Sequence, residues 1–194
     1  MYINNTQRFP YPLRPEKGTG YRFDADAFAF ECKANEARAM SHNPTGHMIS
    51  RHGNPIDTTP YKDALSRLPK SDMWEWVDIG LFGSPRTPGL NEGVIMVIDL
   101  PAIGELPYHD RHRIIKDYFP DPSFRVPFPL VFRPPVVYNN CGLAHAREQM
   151  LLENEKWGVT IWEGFVGKRL TSPYPINTTN PNKTTSYWYK ERFV

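Results

Sequence analysis

Proline and glycine set the first limit on what this chain can fold into. Twenty prolines and thirteen glycines are spread through 194 residues. Proline removes an amide donor and clashes with the preceding helical turn, and glycine is entropically costly inside a helix, so a helical bundle is disfavoured. Between these breaks the sequence is rich in aromatic and β-branched residues, and strands should dominate. The length suits a single domain, taken as residues 1–194, with a core of its own.

Twenty-three Lys and Arg against twenty-one Asp and Glu give no global field of the kind that marks a strongly basic nucleic-acid binder. Any basic site must be local. The two cysteines, Cys32 and Cys141, lie far apart, no apolar run reaches bilayer length, and residues 1–12 have no signal-peptide core. The expectation is a reduced, soluble, cytoplasmic protein with no membrane partner.

Residues 27–32 (AFAFEC) and 37–42 read as strands broken at 33–36, and the turn Asn43-Pro44-Thr45-Gly46 returns the chain into 47–51 as an antiparallel meander. Thr59-Pro60 predicts a short helix over 60–68, stopped by Pro69. Residues 73–82 and 93–100 read as a central strand pair, the second buried on both faces. Residues 108–119 and 142–157 read as amphipathic helices. The proline-rich stretch 120–135 should run extended, and 131–138, 159–168 and 187–194 complete a strand-rich α+β domain.

Three segments carry chemistry. In Glu31-Cys32-Lys33-Ala34-Asn35-Glu36-Ala37-Arg38, Lys33 closes a largely apolar strand. A lysine that is partly desolvated and near other cations can give up its proton and act as a nucleophile, although an ordinary strand-end lysine looks the same in sequence. In Trp162-Glu163-Gly164-Phe165-Val166-Gly167-Lys168 a carboxylate and an ammonium suit a metal-bound triphosphate. Strict alternation puts Glu163 and Lys168 on opposite faces unless the glycines bend the strand. In 187–193, Trp188, Lys190 and Arg192 share a face able to grip phosphate.

In order and spacing these segments resemble the covalent nucleotidyltransferase superfamily of ATP-dependent DNA ligases, RNA ligases and capping enzymes. Lys33 falls on the nucleophile of the K-x-D-G motif, with Arg38 on the arginine that follows. Ser50-Arg51-His52-Gly53 resembles the next motif, and 93–100, ending in Ile98-Asp99-Leu100, resembles the strand under the base. Glu163 to Lys168 matches E-G-x-V-x-K, and Trp188-Tyr189-Lys190-Glu191-Arg192 resembles W-x-K-x-K. Ser172-Pro173-Tyr174-Pro175 and Arg51-His52-Gly53 bring the adenylation domain of small phage-type and bacterial DNA ligases nearest, over residues 28–193.

The resemblance implies an antiparallel-sheet, ATP-grasp-like nucleotidyltransferase fold without the OB-fold domain that usually follows. It implies that Lys33 takes AMP from ATP and passes it to a 5′-phosphate for nick sealing. Lys168 and Lys190 would hold the α-phosphate, Arg38 and Arg51 the sugar or phosphates, and Arg192 phosphate or DNA. Ile98 would pack on the base and Glu31 contact the adenine amino group. Glu163 and Asp78 would hold Mg2+ or Mn2+. Expected partners are nicked duplex DNA, with RNA as the alternative, and a protein supplying an OB-fold domain. The rival reading is a catalytically silent module that binds nucleotide or DNA.

Two positions depart from the family pattern. Asn35-Glu36 replaces Asp-Gly after the nucleophile, and Gly80 stands where the third motif has its glutamate. Asp78, two residues away on the same strand face, is the expected substitute. Lys17-Gly18-Thr19-Gly20 reads as plain loop, and Asp110-Arg111-His112-Arg113, with His109, as a solvated helix face. Cys32 should be a buried thiol facing away from Lys33, and Trp74 and Trp76 should share a core face.

Overall fold

The computed structural model describes residues 11–17, 27–83, 92–124, 127–138, 140–177 and 183–193. Residues 18–20 of the Lys17 loop lie outside them. The chain opens with β1 (Tyr11–Pro12) and β2 (Arg14–Lys17), then runs through β3 (Phe28–Ala34), β4 (Ala37–His42), β5 (His47–Ser50) and β6 (Pro55–Ile56). A 3-10 turn at Thr59–Tyr61 leads into α1 (Lys62–Ser66), with proline at the start of the turn as predicted. Then come β7 (Trp76–Leu81), β8 (Ile95–Asp99), α2 (Tyr108–Tyr118), β9 (Val131–Phe132), β10 (Val136–Val137) and α3 (Asn140–Trp157). The last strands are β11 (Trp162–Arg169), β12 (Ile176–Asn177) and β13 (Thr184–Arg192).

These strands form two main sheets. One has the order β10-β3-β11-β13-β2, the other β6-β5-β4-β7-β8-β9, and β1 pairs with β12 separately. Most pairs are antiparallel, as expected, but β2 runs parallel to β13 and β9 parallel to β8 at the sheet edges. The predicted meander over 27–51 is corrected. β4 and β5 form the hairpin, whereas β3 belongs to the other sheet. The physical reason is the break at 33–36, where Asn35 leaves the ladder. Its amide donates to Ile161 O at 2.7 Å and its side-chain amide to Thr160 O at 3.1 Å. The predicted strand over 131–138 is likewise split, because Pro134 and Pro135 cannot sustain a ladder and the chain changes sheet there.

Two cores hold the sheets. Val77, Ile79, Leu81, Ile95 and Val97 pack with Leu65 of α1 and Ile115 of α2. Phe28, Phe30, Cys32 and Ala34 of β3 pack with Trp162, Phe165, Met96, Phe132 and Met150 of α3. β3 therefore spends one face on the core and turns the other, with Glu31 and Lys33, toward the crevice between the sheets. Cys32 is buried on the core side, as expected, and burial pushes its thiol well above the usual range. Trp74 and Trp76 do not share a face. A 3-10 turn at Asp72–Trp74 separates them, and they enter different clusters.

The solvated reading of α2 is also corrected. Arg111 and His112 are buried, and Arg111 points inward to Asp99 at the end of β8. His112 stacks on Tyr108 with centroids 5.6 Å apart, and burial, reinforced by Arg133 and Lys168, lowers its pKa from 6.5 to about 4. A histidine kept neutral in the fold charges more readily when unfolded. Its contribution to stability is complete above pH 6.5 and is lost as pH falls toward 4, a difference of roughly 3 kcal/mol. Urea denaturation across pH 7 to 4 should show this slope in the wild-type chain and a flatter one in His112→Gln. Equal slopes would contradict it.

Candidate active site

The crevice between the sheets is a pocket of about 410 Å³, within the range of small-molecule sites. Its lining includes seven cations, Arg14, Lys33, Arg38, Arg51, Lys168, Lys190 and Arg192, with Glu31 and Glu36 among them. The hydrophobic contribution comes from Met96, Ile98, Val166 and Trp188. The chain is nearly neutral overall, so this is a strongly local concentration of positive charge.

Lys33, at the end of β3, is half-buried. Its ammonium bonds the Glu163 carboxylate directly, donates to Ala34 O at 3.2 Å, and lies 3.9 Å from Glu36. Its immediate partners are thus carboxylates, not the cations that the sequence suggested. Glu163 reaches it because β11 carries a bulge between Trp162 and Gly164, which puts both Trp162 and Phe165 on the core side. The bulge turns Glu163 to the Lys33 ammonium, while Val166 and Lys168 line the crevice. Glu163 also accepts from Arg192 at 3.1 Å.

Lys168 is fully buried. It pairs with Glu31 at 2.8 Å and Asp99 at 3.4 Å, donates to Ile98 O at 3.1 Å, and sits 4.3 Å from the Trp188 ring centre and 5.0 Å from that of Tyr108. Glu31 is held as well by the Tyr108 hydroxyl at 2.8 Å. Burial raises the Glu31 carboxyl, partly offset by Lys168. Burial pushes Asp99 the same way, but Lys168 and Arg111 more than reverse it and hold Asp99 at about 2.

Lys190 and Arg192 follow the predicted face of β13 into the pocket, with Trp188 at its floor. Lys190 is half-buried, and burial together with Arg14, Arg192, Lys33 and Arg51 lowers its pKa. Such a crowded cation is stabilised by an anion brought among them. Arg51 lines the pocket from the turn after β5, and Ile98 is half-buried on its wall.

Asp78, the expected second metal ligand, is engaged by Arg38 and Tyr174. It is fully buried beneath Arg38, accepting from Arg38 Nε at 2.9 Å and from the Tyr174 hydroxyl at 2.9 Å. Burial disfavours the Arg38 charge, but Asp78 and Tyr174 outweigh that and keep the guanidinium ionised. Arg38 also lies 5.5 Å from the Trp188 ring centre. Asp78 and Tyr174 therefore act by positioning Arg38.

Sequence reasoning missed Arg14, Glu36 as a pocket residue, and the Arg111–Asp99 pair. Arg14 sits on β2, a four-residue strand that contains Pro15 and has no strand-like pattern. The signal for Arg111 was present in Asp99, an aspartate closing a buried apolar strand that needs a cation from elsewhere.

Two sheets closing on a cation-lined crevice around a lysine give this chain the fold seen in solved structures of ATP-dependent DNA ligases. No family model matches the sequence, and no curated protein matches it. Among solved structures, the chain is similar to a Lig E DNA ligase studied for DNA binding with a minimal scaffold, at TM-score 0.59 and 14% identity over 93% of this chain and 68% of that one. It is similar to the ligase domain of M. tuberculosis LigD, at 0.60 and 18% over 94% of this chain and 59% of that one. The ATP-dependent DNA ligase of bacteriophage T7, in complex with ATP, matches at 0.54 and 12% over 94% of this chain and 68% of that one. The chain spans between 59% and 68% of the length of these three. At such identities the likeness is one of fold.

Proposed function

We propose that this chain is an ATP-dependent DNA ligase adenylation domain in which Lys33 becomes covalently linked to AMP. The observation that carries this reading is the Lys33 amine opening onto a pocket lined by six further lysines and arginines. Phosphoryl transfer needs little covalent help from a protein beyond a positioned nucleophile and fixed positive charge. Lys33 is the nucleophile. Its nitrogen bonds the α-phosphorus of ATP, and the bond to the bridging oxygen breaks with its electron pair leaving on pyrophosphate.

Lys190, Arg192, Arg51 and Arg14 surround the phosphates, Arg38 faces the nucleotide from its seat on Asp78, and Ile98 and Val166 supply apolar surface for the base. Lys168 is drawn from Glu31 and Asp99 toward the α-phosphate. Transfer of AMP to a 5′-phosphate and closure of a nick in duplex DNA complete the reading, with an OB-fold domain on a partner as its complement. Binding through phosphates should weaken steeply with salt.

Among the described residues no group of three or more His, Cys, Asp or Glu converges as a metal cage. A carboxylate beside the reacting phosphate suits Mg2+ or Mn2+, which keep most of their ligands on phosphate and water. Glu163 would hold the ion, and the ion would neutralise phosphate charge there.

The Glu31–Lys168 pair supports a second reading, a silent nucleotide- or DNA-binding module, because each group is already satisfied by the other. Incubation with ATP or GTP and Mg2+ or Mn2+, followed by intact-mass measurement, separates the two. The expected result is a gain of one AMP with ATP alone, absent in Lys33→Ala. No adduct, together with failure to seal a pre-adenylylated nick, would establish the silent module.

A further inference from the structure

The two departures from the motif pattern, Glu36 and Gly80, meet in space. Gly80 on β7 lies opposite Arg38 on β4, and the Glu36 side chain lies across it. A methyl group built on Gly80 would overlap Cγ of Glu36 and come within 3.3 Å of its Cβ and of Met96 Cε. Gly80 has no positive φ, so its backbone does not call for glycine. Space does. The cleared volume leaves room for the Glu36 carboxylate, 6% exposed, in the pocket lining 3.9 Å from the Lys33 ammonium.

Lys33 thus has a second carboxylate near it besides Glu163, and its chemistry has protons to dispose of. It enters the reaction as an ammonium and ends as an N–H phosphoramidate. One proton must leave before the nitrogen attacks and a second as the nitrogen–phosphorus bond forms. The charge of both protons has to be accepted inside a pocket dominated by cations.

We propose that Glu36 positions the Lys33 amine and receives one of these protons, the other leaving on pyrophosphate, and that residue 80 is glycine because β7 must leave room for Glu36. This rests on the reading of Lys33 as the nucleophile. The carboxylate absent from residue 80 is supplied from the link between the sheets. Burial raises the Glu36 carboxyl, with Lys33 and Arg38 pulling it back, which makes it a better proton acceptor than a solvated glutamate.

Two measurements on the intact chain test this. In a thermal-denaturation cycle, Gly80→Ala should lower Tm by several degrees in the wild-type background and have little effect in Glu36→Ala. An equal loss in both backgrounds overturns the steric pairing. In single-turnover adduct formation followed by intact mass, the isosteric Glu36→Gln should be slower by on the order of 10²-fold. Its deficit should narrow as pH rises and solvent takes the proton, while ATP affinity by calorimetry stays within a few-fold. A Glu36→Gln rate equal to wild type at every pH overturns the role. A wild-type chain that forms no adduct removes the Lys33 chemistry and the proton role with it, and the denaturation cycle then decides the pairing alone.

Discussion

Asp99→Asn is expected to destabilise the protein by about 3–5 kcal/mol, a large share of the total for a domain of this size. Asp99 is fully buried and accepts from Arg111 Nε at 2.7 Å, Arg111 Nη2 at 3.1 Å and the Leu100 amide at 2.9 Å, with Lys168 at 3.4 Å. Its neutral amide would leave the Arg111 guanidinium without a counter-charge in the interior and Lys168 with Glu31 alone. Removing one member of a buried pair costs more than removing both, so Arg111→Met combined with Asp99→Asn should recover part of the loss. Chemical denaturation of the wild type, the two single variants and the double variant checks this, and a double variant no more stable than Asp99→Asn would contradict it. Because the folded carboxyl sits at about 2 against an ordinary 3.8, its contribution is fully present above pH 3.8 and lost as pH falls through 2.

Gly164→Ala should be as damaging, and should also disable the pocket. Gly164 has φ +156° at the β11 bulge, and a Cβ there would be driven onto the carbonyl oxygen of Glu191, 2.8 Å from its carbon and 2.9 Å from Cα of Arg192. These are backbone atoms of the paired strand and cannot step aside as a flexible side chain could. The β11–β13 ladder must open at its Gly164–Arg192 end, which separates Glu163 from Arg192 and shifts Lys190. The expected outcome is a loss of several kcal/mol in stability and loss of measurable ATP binding. Wild-type stability and affinity in Gly164→Ala would show that the bulge is not needed.

Much of the site is legible in the sequence because strands impose a period of two. Trp188, Lys190 and Arg192 reach the pocket for that reason, and so do Glu31 and Lys33, whose alternate neighbours Phe30 and Cys32 are core. Glu163 and Lys168 are an odd number of residues apart, and only the bulge reconciles them. Asp78 follows its predicted face, yet the long Arg38 side chain from the adjacent strand lies over it and takes its charge. Arg111 and His112 look solvated in sequence because charge usually marks an exposed face, and nothing local reveals that Asp99 waits beneath the helix. Glu36 could not be placed from sequence, since its position depends on the chain changing sheets.

That change of sheet also limits how the crevice can breathe. Lys33 stands on one wall and Arg38 on the other, five residues along the same backbone. A fully extended chain advances no more than about 3.6 Å per residue, so the backbones at these two positions are tethered within roughly 18 Å whatever the walls do. Asn35, bonded to Thr160 and Ile161, shortens the leash further. Any widening that admits a ligand must therefore occur away from this link, while Lys33 stays close to it.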